Sequence, residues 1–463
     1  MKRIGLTIKD LFDLDSAVIY NPDDIKTIRN VSIDSRNISN DCLFIALKGD
    51  RFDGHDFIGD AVANGAIALL IDRKKLSNVK DYDIPVITVD DPIIALGNLA
   101  RCWRKKLSTK IIGITGSIGK TSTKEMVAML LSTKYRVNKT IANYNNHIGV
   151  PLTLFSTNEK HDVLVAELGT NHFGEIEYTA NIAMPDYAMI TNIGESHLEF
   201  FLNKKGILKE KSAVFQVTAK MDGTLFVNND DRLIKEEAKK YKKKITYGFN
   251  SDSAVRGEVI GYSVDGRPEI EITYKKNKLK VDIPTYGEAN AKNFLAAAAV
   301  AFTLGLSVKE ISKGLQKLGS IEKRLNVKRK KDFILIDDTY NASPSSMKEA
   351  MNLAGRIKIH RKKIAILGDM FELGEKGPEL HRKLAASIKL NKFDSVYLTG
   401  SLMKNLYEEL KKSNVETKYF NNRKRLNTFL YKQNFSDSVI LVKGSRGMKM
   451  EEFVKTIEEK TGK

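Results

Sequence analysis

KIIGITGSIGKTSTKEM, residues 110–126, decides how the chain folds. KIIGIT (110–115) is a short apolar run with the pattern of a buried strand. A glycine loop follows, then Lys120 and Thr121, then a helical pattern through about Leu131. Strand, glycine loop, Lys-Thr and helix make the geometry of a phosphate cradle. Glycines let backbone N–H groups turn toward phosphate oxygens, and the helix N-terminus adds partial positive charge. Lys120 is placed to reach the β- and γ-phosphates, and the Thr121 hydroxyl to hold Mg²⁺. The strict G-x-x-x-x-G-K spacing fails, because Ile114 stands where the first glycine belongs. The match is the shorter T-G-x-x-G-K-T: Thr115, Gly116, Ser117, Ile118, Gly119, Lys120 and Thr121, with Ser122 just inside the helix.

Working outward, further apolar runs alternate with helical segments. DVLVAE (162–167) and DYAMIT (186–191) read as buried strands, so a mainly parallel sheet with helices on both faces is expected. EIEITYKKNKLKVDI alternates with period two around a polar turn, which predicts an antiparallel hairpin within 252–283. GEANAKNFLAAAAVAFTLG (287–305) reads as an alanine-rich helix, and Ser307 with Glu310 as a capping box for the next. Upstream, CLFIALKG (42–49) and AIALLID (66–72) read as strands and DPIIALGNLARCWRKKL (91–107) as a helix. Downstream, FILIDD (333–338), KIAILG (363–368), SVYLTG (395–400) and VILVKG (439–444) repeat the strand–helix rhythm. The expectation is an α/β protein of three domains: 1–107, 108–318 with the phosphate loop, and a dinucleotide-binding-like 319–463.

The chain has 463 residues and a net charge of +19, which favours anionic partners such as nucleotides and carboxylates. Nucleic acid is not expected: KKYKKK (239–244) and KRKK (328–331) are scattered and read as solvated faces. The two cysteines, with no CxxC, suit a reducing cytoplasm. FLAAAAVAFTLGLSV (294–308) is too short and too alanine-rich for a membrane span.

Other polar residues follow strands. Glu167 ends DVLVAE, where a carboxylate points into a ligand crevice; an ordinary strand-end acid is the alternative. His197, a few residues past DYAMIT, is by itself as readily a packing residue. IDDTYNASP (336–344) offers acids, a tyrosine and an asparagine for hydroxyls, an amine or a metal, or else is a turn with Ser345 or Ser346 capping the next helix. GDMFELG (368–374) and KGSRGM (443–448) lie at comparable strand ends, and three polar strand ends on one rim predict one crevice.

TGSIGKT, AELGTNHFGEIEYTA, NIGESHLEFF, IDDTYNASP, GDMFELG and LVKGSRGMKME, in this order, resemble the Mur ligases of peptidoglycan synthesis, and DSR (34–36) with LFIALKGDRFDGHDFI (43–58) extends the resemblance into the N-terminal part. It implies an N-terminal domain for the UDP end of the substrate, a central ATPase and a C-terminal domain for the incoming dipeptide. It implies a cytoplasmic monomer in which ATP phosphorylates the terminal carboxylate of UDP-N-acetylmuramoyl-tripeptide. The amine of D-alanyl-D-alanine then displaces phosphate. By resemblance Thr121, Glu167, His197 and a carbamylated Lys211 serve Mg²⁺, Asn290 contacts adenine, Arg324 the γ-phosphate and Asp338 the nucleotide. Ser35, Lys48, His55, Asn143, Asn145 and Asn146 fall in motifs for the UDP-linked substrate, and Asn341 and Ser343 near the dipeptide. Ala289 and Ser212-Ala213 depart from the family pattern. Another amino-acid ligase of the same type, or a basic nucleotide-binding protein without ligase activity, is the competing reading.

Overall fold

The computed structural model describes residues 4–79, 82–195, 198–318 and 326–461. Three β-sheets of five, nine and six strands organise these residues. The five-stranded sheet runs Val18–Tyr20, Val86–Val89, Ala66–Asp72, Cys42–Ile45, Asn30–Ser32. All its pairs are parallel except the edge strand Val18–Tyr20. Phe44, Leu69, Ile71 and Ile58 build the core beside it.

The chain packs as two compact units. The first comprises Met1–Thr115, Lys134–Met189 and Glu210–Leu225. It holds the five-stranded sheet and the parallel set Lys110–Thr115, Val163–Glu167, Val137–Lys139. The helix Pro92–Lys106 starts on Asp91, whose carboxylate accepts the Ile93 and Ile94 N–H groups, with proline in the first turn. Near its other end, buried Arg104 donates to the Ala183 and Met184 carbonyls and to Asp186, and the Trp103 indole donates to the Thr157 carbonyl. Those bonds seat the helix against the strand-and-helix layer that carries Glu167.

The second unit comprises Gly116–Thr133, Ile190–Lys209 and Phe226–Lys463. Its helix Lys120–Leu131 packs on the alanine-rich helix Glu288–Thr303 and on Val308–Leu315. Small side chains permit the approach: a Cβ on Gly314 would lie 3.0 Å from the Leu130 side chain. Ser307 and Glu310 form the expected capping box. The expected hairpin is Pro268–Tyr274 with Asn277–Asp282, and Val255–Tyr262 adds a third antiparallel strand. The six-stranded sheet runs Asn326–Arg329, Phe333–Asp338, Ser438–Lys443, Lys362–Gly368, Ser395–Thr399, Glu416–Phe420. It is parallel apart from its first strand. Ile366, Ile440, Val442 and Phe453 fill its core.

KRKK (328–331) is solvated as expected at Arg329, Lys330 and Lys331, which are exposed, while Lys328 is half-buried; Lys328 and Arg329 lie in a strand. Lys328 pairs with Glu458 at 3.1 Å, Lys330 with Glu458 at 3.2 Å, and Arg329 with the buried Asp265. Among the described residues no helix is long and apolar enough to cross a membrane.

Candidate functional site

The phosphate loop is held by the segment after the strand Tyr187–Ile190. Asn192 accepts the Ser117 N–H through its carbonyl and the Ile118 N–H through its side chain, both at 3.0 Å. Thr191 donates to the Ile118 carbonyl at 2.6 Å, and Gly194 N–H donates to Ser117 Oγ at 2.9 Å. Two loop N–H groups are therefore committed to protein. The expectation that the loop's N–H groups turn toward phosphate fails for Ser117 and Ile118. Gly116 and Gly119 cannot be replaced freely. Gly116 has φ +148°, and a Cβ there would collide with Thr191 Oγ1. Gly119 has φ +81°, and a Cβ would lie 2.5 Å from Asn293 Oδ1. The Lys120 ammonium donates to the Gly116 carbonyl at 2.7 Å.

A cavity of about 310 Å³ opens beside this loop. Of the residues singled out in the sequence, Ser117, Ile118, Gly119, Lys120, Ser122, Asn290, Asp338, Asn341 and Ser343 line it. Thr115, Gly116 and Thr121 do not line it; Thr115 is buried at the end of its strand. The single crevice expected from three polar strand ends is present: Asp338, Phe371 and Lys443 with Ser445 line the same cavity. Lys443, 1% exposed, pairs with Asp338 and donates to the Asn341 carbonyl at 2.9 Å. Ser445 Oγ accepts the Phe371 N–H at 2.8 Å, and His381 Nε2 accepts the Met370 N–H at 3.0 Å. On the opposite wall Asn293 donates to Asn290 Oδ1, and Asn290 donates to the Tyr286 carbonyl.

Ser343 carries a second duty. Its hydroxyl accepts the Ser346 N–H, so it is the N-cap of the helix Pro344–Arg356. The sequence had offered Ser345 or Ser346 for that cap. Glu349, on the same helix, lines the cavity and was missed. Its signal was its spacing of three from Ser346, itself three from Ser343. Burial pushes its carboxyl up to about 7, against the pull of Lys292 and Lys443.

The first unit holds Glu167, Lys211, Asn143, Asn145 and Asn146, and the N-terminal candidates. Glu167 is 2% exposed, and its Oε1 accepts from Asn145 Nδ2 at 2.9 Å, so these two predicted residues meet. Asn146 accepts the Ile148 and Gly149 N–H groups and thereby starts the helix Gly149–Phe155, while Asn143 is exposed. Lys211, on the helix Lys204–Lys220, is 1% exposed, whereas Lys209 is exposed. The surface-lysine alternative therefore fails for Lys211 and holds for Lys209. Beside the N-terminal sheet Ser35 is buried and Lys48 is exposed. His55 is buried, with Nδ1 on Asp53 at 2.5 Å and Nε2 accepting the Asp72 N–H at 3.0 Å. Both ring nitrogens serve the fold, a role the sequence did not reveal. His197 and Arg324 lie outside the described residues.

Among the described residues no group of three or more His, Cys, Asp or Glu could hold a metal ion. The donor types expected for Mg²⁺ are different. Glu167, in the first unit, is a buried carboxylate and Thr121, in the second, a hydroxyl, and each is a hard oxygen donor of the type such an ion takes. The donor chemistry fits.

Three family profiles match in chain order: Mur ligase family, catalytic domain, over residues 27–104; Mur ligase middle domain, over 114–301; and Mur ligase, glutamate ligase domain, over 323–446. The UDP-N-acetylmuramoyl-tripeptide–D-alanyl-D-alanine ligase of Bacillus subtilis (strain 168) is 36% identical over 462 residues, covering 98% of this chain and 99% of that protein. A crystal structure of MurF from Acinetobacter baumannii superposes with a TM-score of 0.88 at 30% identity, covering 99% of this chain and 100% of the other. MurF ligase from Thermotoga maritima in complex with ADP gives 0.82 at 28% identity, over 94% and 98%.

Proposed function

The chain belongs to the Mur ligase family, and from that premise we propose that it joins D-alanyl-D-alanine to UDP-N-acetylmuramoyl-tripeptide at the expense of ATP. The product is the pentapeptide precursor of peptidoglycan, and the reaction belongs to the cytoplasm. The observation that carries this reading is the shared cavity: the phosphate loop and Asp338, Asn341 and Ser343 line one space.

A free carboxylate does not acylate an amine in water, because its leaving group is oxide. Transfer of the γ-phosphoryl group to the tripeptide carboxylate makes an acyl phosphate, and the dipeptide amine then expels inorganic phosphate. Lys120 and the helix start below it neutralise charge developing on the transferred group. Glu167, whose carboxylate Asn145 orients, and Thr121 are each assigned to Mg²⁺. That ion supplies Lewis-acid neutralisation of phosphate oxygens. Lys211 is the residue we assign to carbamylation. It is buried on the helix Lys204–Lys220, whereas Lys209 on the same helix is exposed. Asp338 and Asn290 are assigned to the nucleoside, and Asn341 and Ser343 to the dipeptide. Ser35, Lys48 and Asn143 are assigned to the UDP-linked substrate.

The test is isotopic. With ¹⁸O in the tripeptide carboxylate, the acyl phosphate route delivers one labelled oxygen into the released phosphate. Unlabelled phosphate, with product formed, rejects the route.

A further inference from the structure

Glu349 is a titratable group that the reaction above does not use. It faces the cavity from the helix Pro344–Arg356, in line with Ser343 and Ser346. Among the described residues no hydrogen bond or ion pair reaches its carboxyl. The charges around it are satisfied elsewhere. Lys443 and Asp338 pair with each other on neighbouring strands. Lys292 and Glu288, on the alanine-rich helix, pair at 3.1 Å, and Glu288 also takes Arg356 at 2.8 Å. A polar group held in a half-buried wall with no protein partner is suited to a ligand partner. A nucleotide with its phosphates on Ser117–Lys120 would extend from that loop into the rest of this cavity, whose lining includes Asn290, Asn293 and Glu349.

We propose that Glu349 reads the base of the bound nucleotide, its carboxyl pairing with N1 and the N6 amino group of adenine. The inference rests on the nucleotide reading of the cavity given above. The pairing needs one donor and one acceptor side by side. A neutral carboxyl offers both, its O–H to N1 and its C=O to the N6 amine; a carboxylate offers acceptors only. Burial favours the neutral form, with Lys292 and Lys443 opposing it and Asp338 and Glu288 reinforcing it. A glutamine places the same donor and acceptor there at every pH.

The experiment measures equilibrium binding of ATP and of purine riboside triphosphate, which lacks the N6 amine, with Mg²⁺, to the full chain and to Glu349→Gln and Glu349→Ala. The wild type should prefer ATP over the analogue by roughly fivefold at pH 6.5, the worth of one such hydrogen bond. Glu349→Gln should keep the preference and Glu349→Ala lose it. The ratio of wild-type to Glu349→Gln affinity for ATP should fall as pH rises from 6 to 8.5, ionisation of the nucleotide cancelling in that ratio. An alanine variant that discriminates like the wild type overturns the inference and leaves the nucleotide reading standing. So does a glutamine variant as impaired as alanine, or a ratio that rises with pH. A wild type that binds neither triphosphate overturns both.

Discussion

Lys120 spends its ammonium on the Gly116 carbonyl at 2.7 Å, a bond it can exchange for phosphate oxygens without moving the loop. Removing it should leave the fold intact and the reaction without its main fixed cation. Lys120→Ala is expected to lower kcat at least about a hundredfold, with an unchanged circular dichroism spectrum; an alanine variant retaining most of its kcat removes Lys120 from the mechanism. Gly116 makes the opposite kind of prediction. At φ +148° and hard against Thr191, Gly116→Ala forces the loop off its seat. It should lose roughly 1–3 kcal/mol of stability together with nucleotide binding, and an undiminished Tm would show that the seat gives way cheaply. Buried Lys211 and exposed Lys209 form a matched pair. Lys211→Ala should abolish turnover, short carboxylates in solution should restore part of it, and Lys209→Ala should be silent. Equal activity in both variants contradicts the carbamylation assignment.

The loop after the strand Lys362–Gly368 shows how an element carries site geometry. His381 donates through Nδ1 to the Gly377 carbonyl at 2.7 Å and accepts the Met370 N–H through Nε2, which fixes its tautomer. Burial lowers its pKa below the ordinary histidine value. The folded state therefore takes up a proton less readily than the unfolded chain. The contribution is complete above the unfolded value, about 6.5, and is lost as pH falls from there toward the folded value. Urea midpoints should drop between pH 7.5 and 5.5, and His381→Gln should flatten that dependence. An equal slope in both proteins would place the pH sensitivity elsewhere. The elements themselves were largely legible. Apolar runs gave FILIDD as Phe333–Asp338 and AIALLID as Ala66–Asp72, because strands buried on both faces announce themselves without alternation. The edge strands Asn326–Arg329 and Glu416–Phe420 were not legible. Their residues are basic or mixed, and what holds Lys328 and Arg329 is Glu458 and Asp265, far away in sequence. Site legibility followed the same division. Loop and strand-end residues stood out by type and place, whereas Glu349 is an ordinary helix glutamate until the fold turns it into the cavity.

At the scale of the molecule, the second unit brings the phosphate loop and the six-stranded sheet to one cavity, and a few long-range contacts hold that arrangement. Arg329 reaches buried Asp265 in the turn between Val255–Tyr262 and Pro268–Tyr274. Arg356 stacks on Tyr262 at 4.6 Å, donates to its hydroxyl at 2.8 Å and pairs with Glu288. Gly266, with φ +88°, lets the turn approach Leu353. Asp265→Ala takes the carboxylate from Arg267 and Arg329, whose side chains are about half exposed, and should cost about 1 kcal/mol, read as a lower denaturant midpoint and a raised KM for ATP. A loss of stability with unchanged KM would separate these contacts from the cavity. The central claim concerns what the cavity is for, and phosphate release by the full chain with ATP and Mg²⁺ tests it most directly, with UDP-N-acetylmuramoyl-tripeptide and D-alanyl-D-alanine supplied singly and together. The account predicts sustained release only with both, matched mole for mole by UDP-muramyl-pentapeptide. Equal release with either one alone, or release without the pentapeptide, would contradict it.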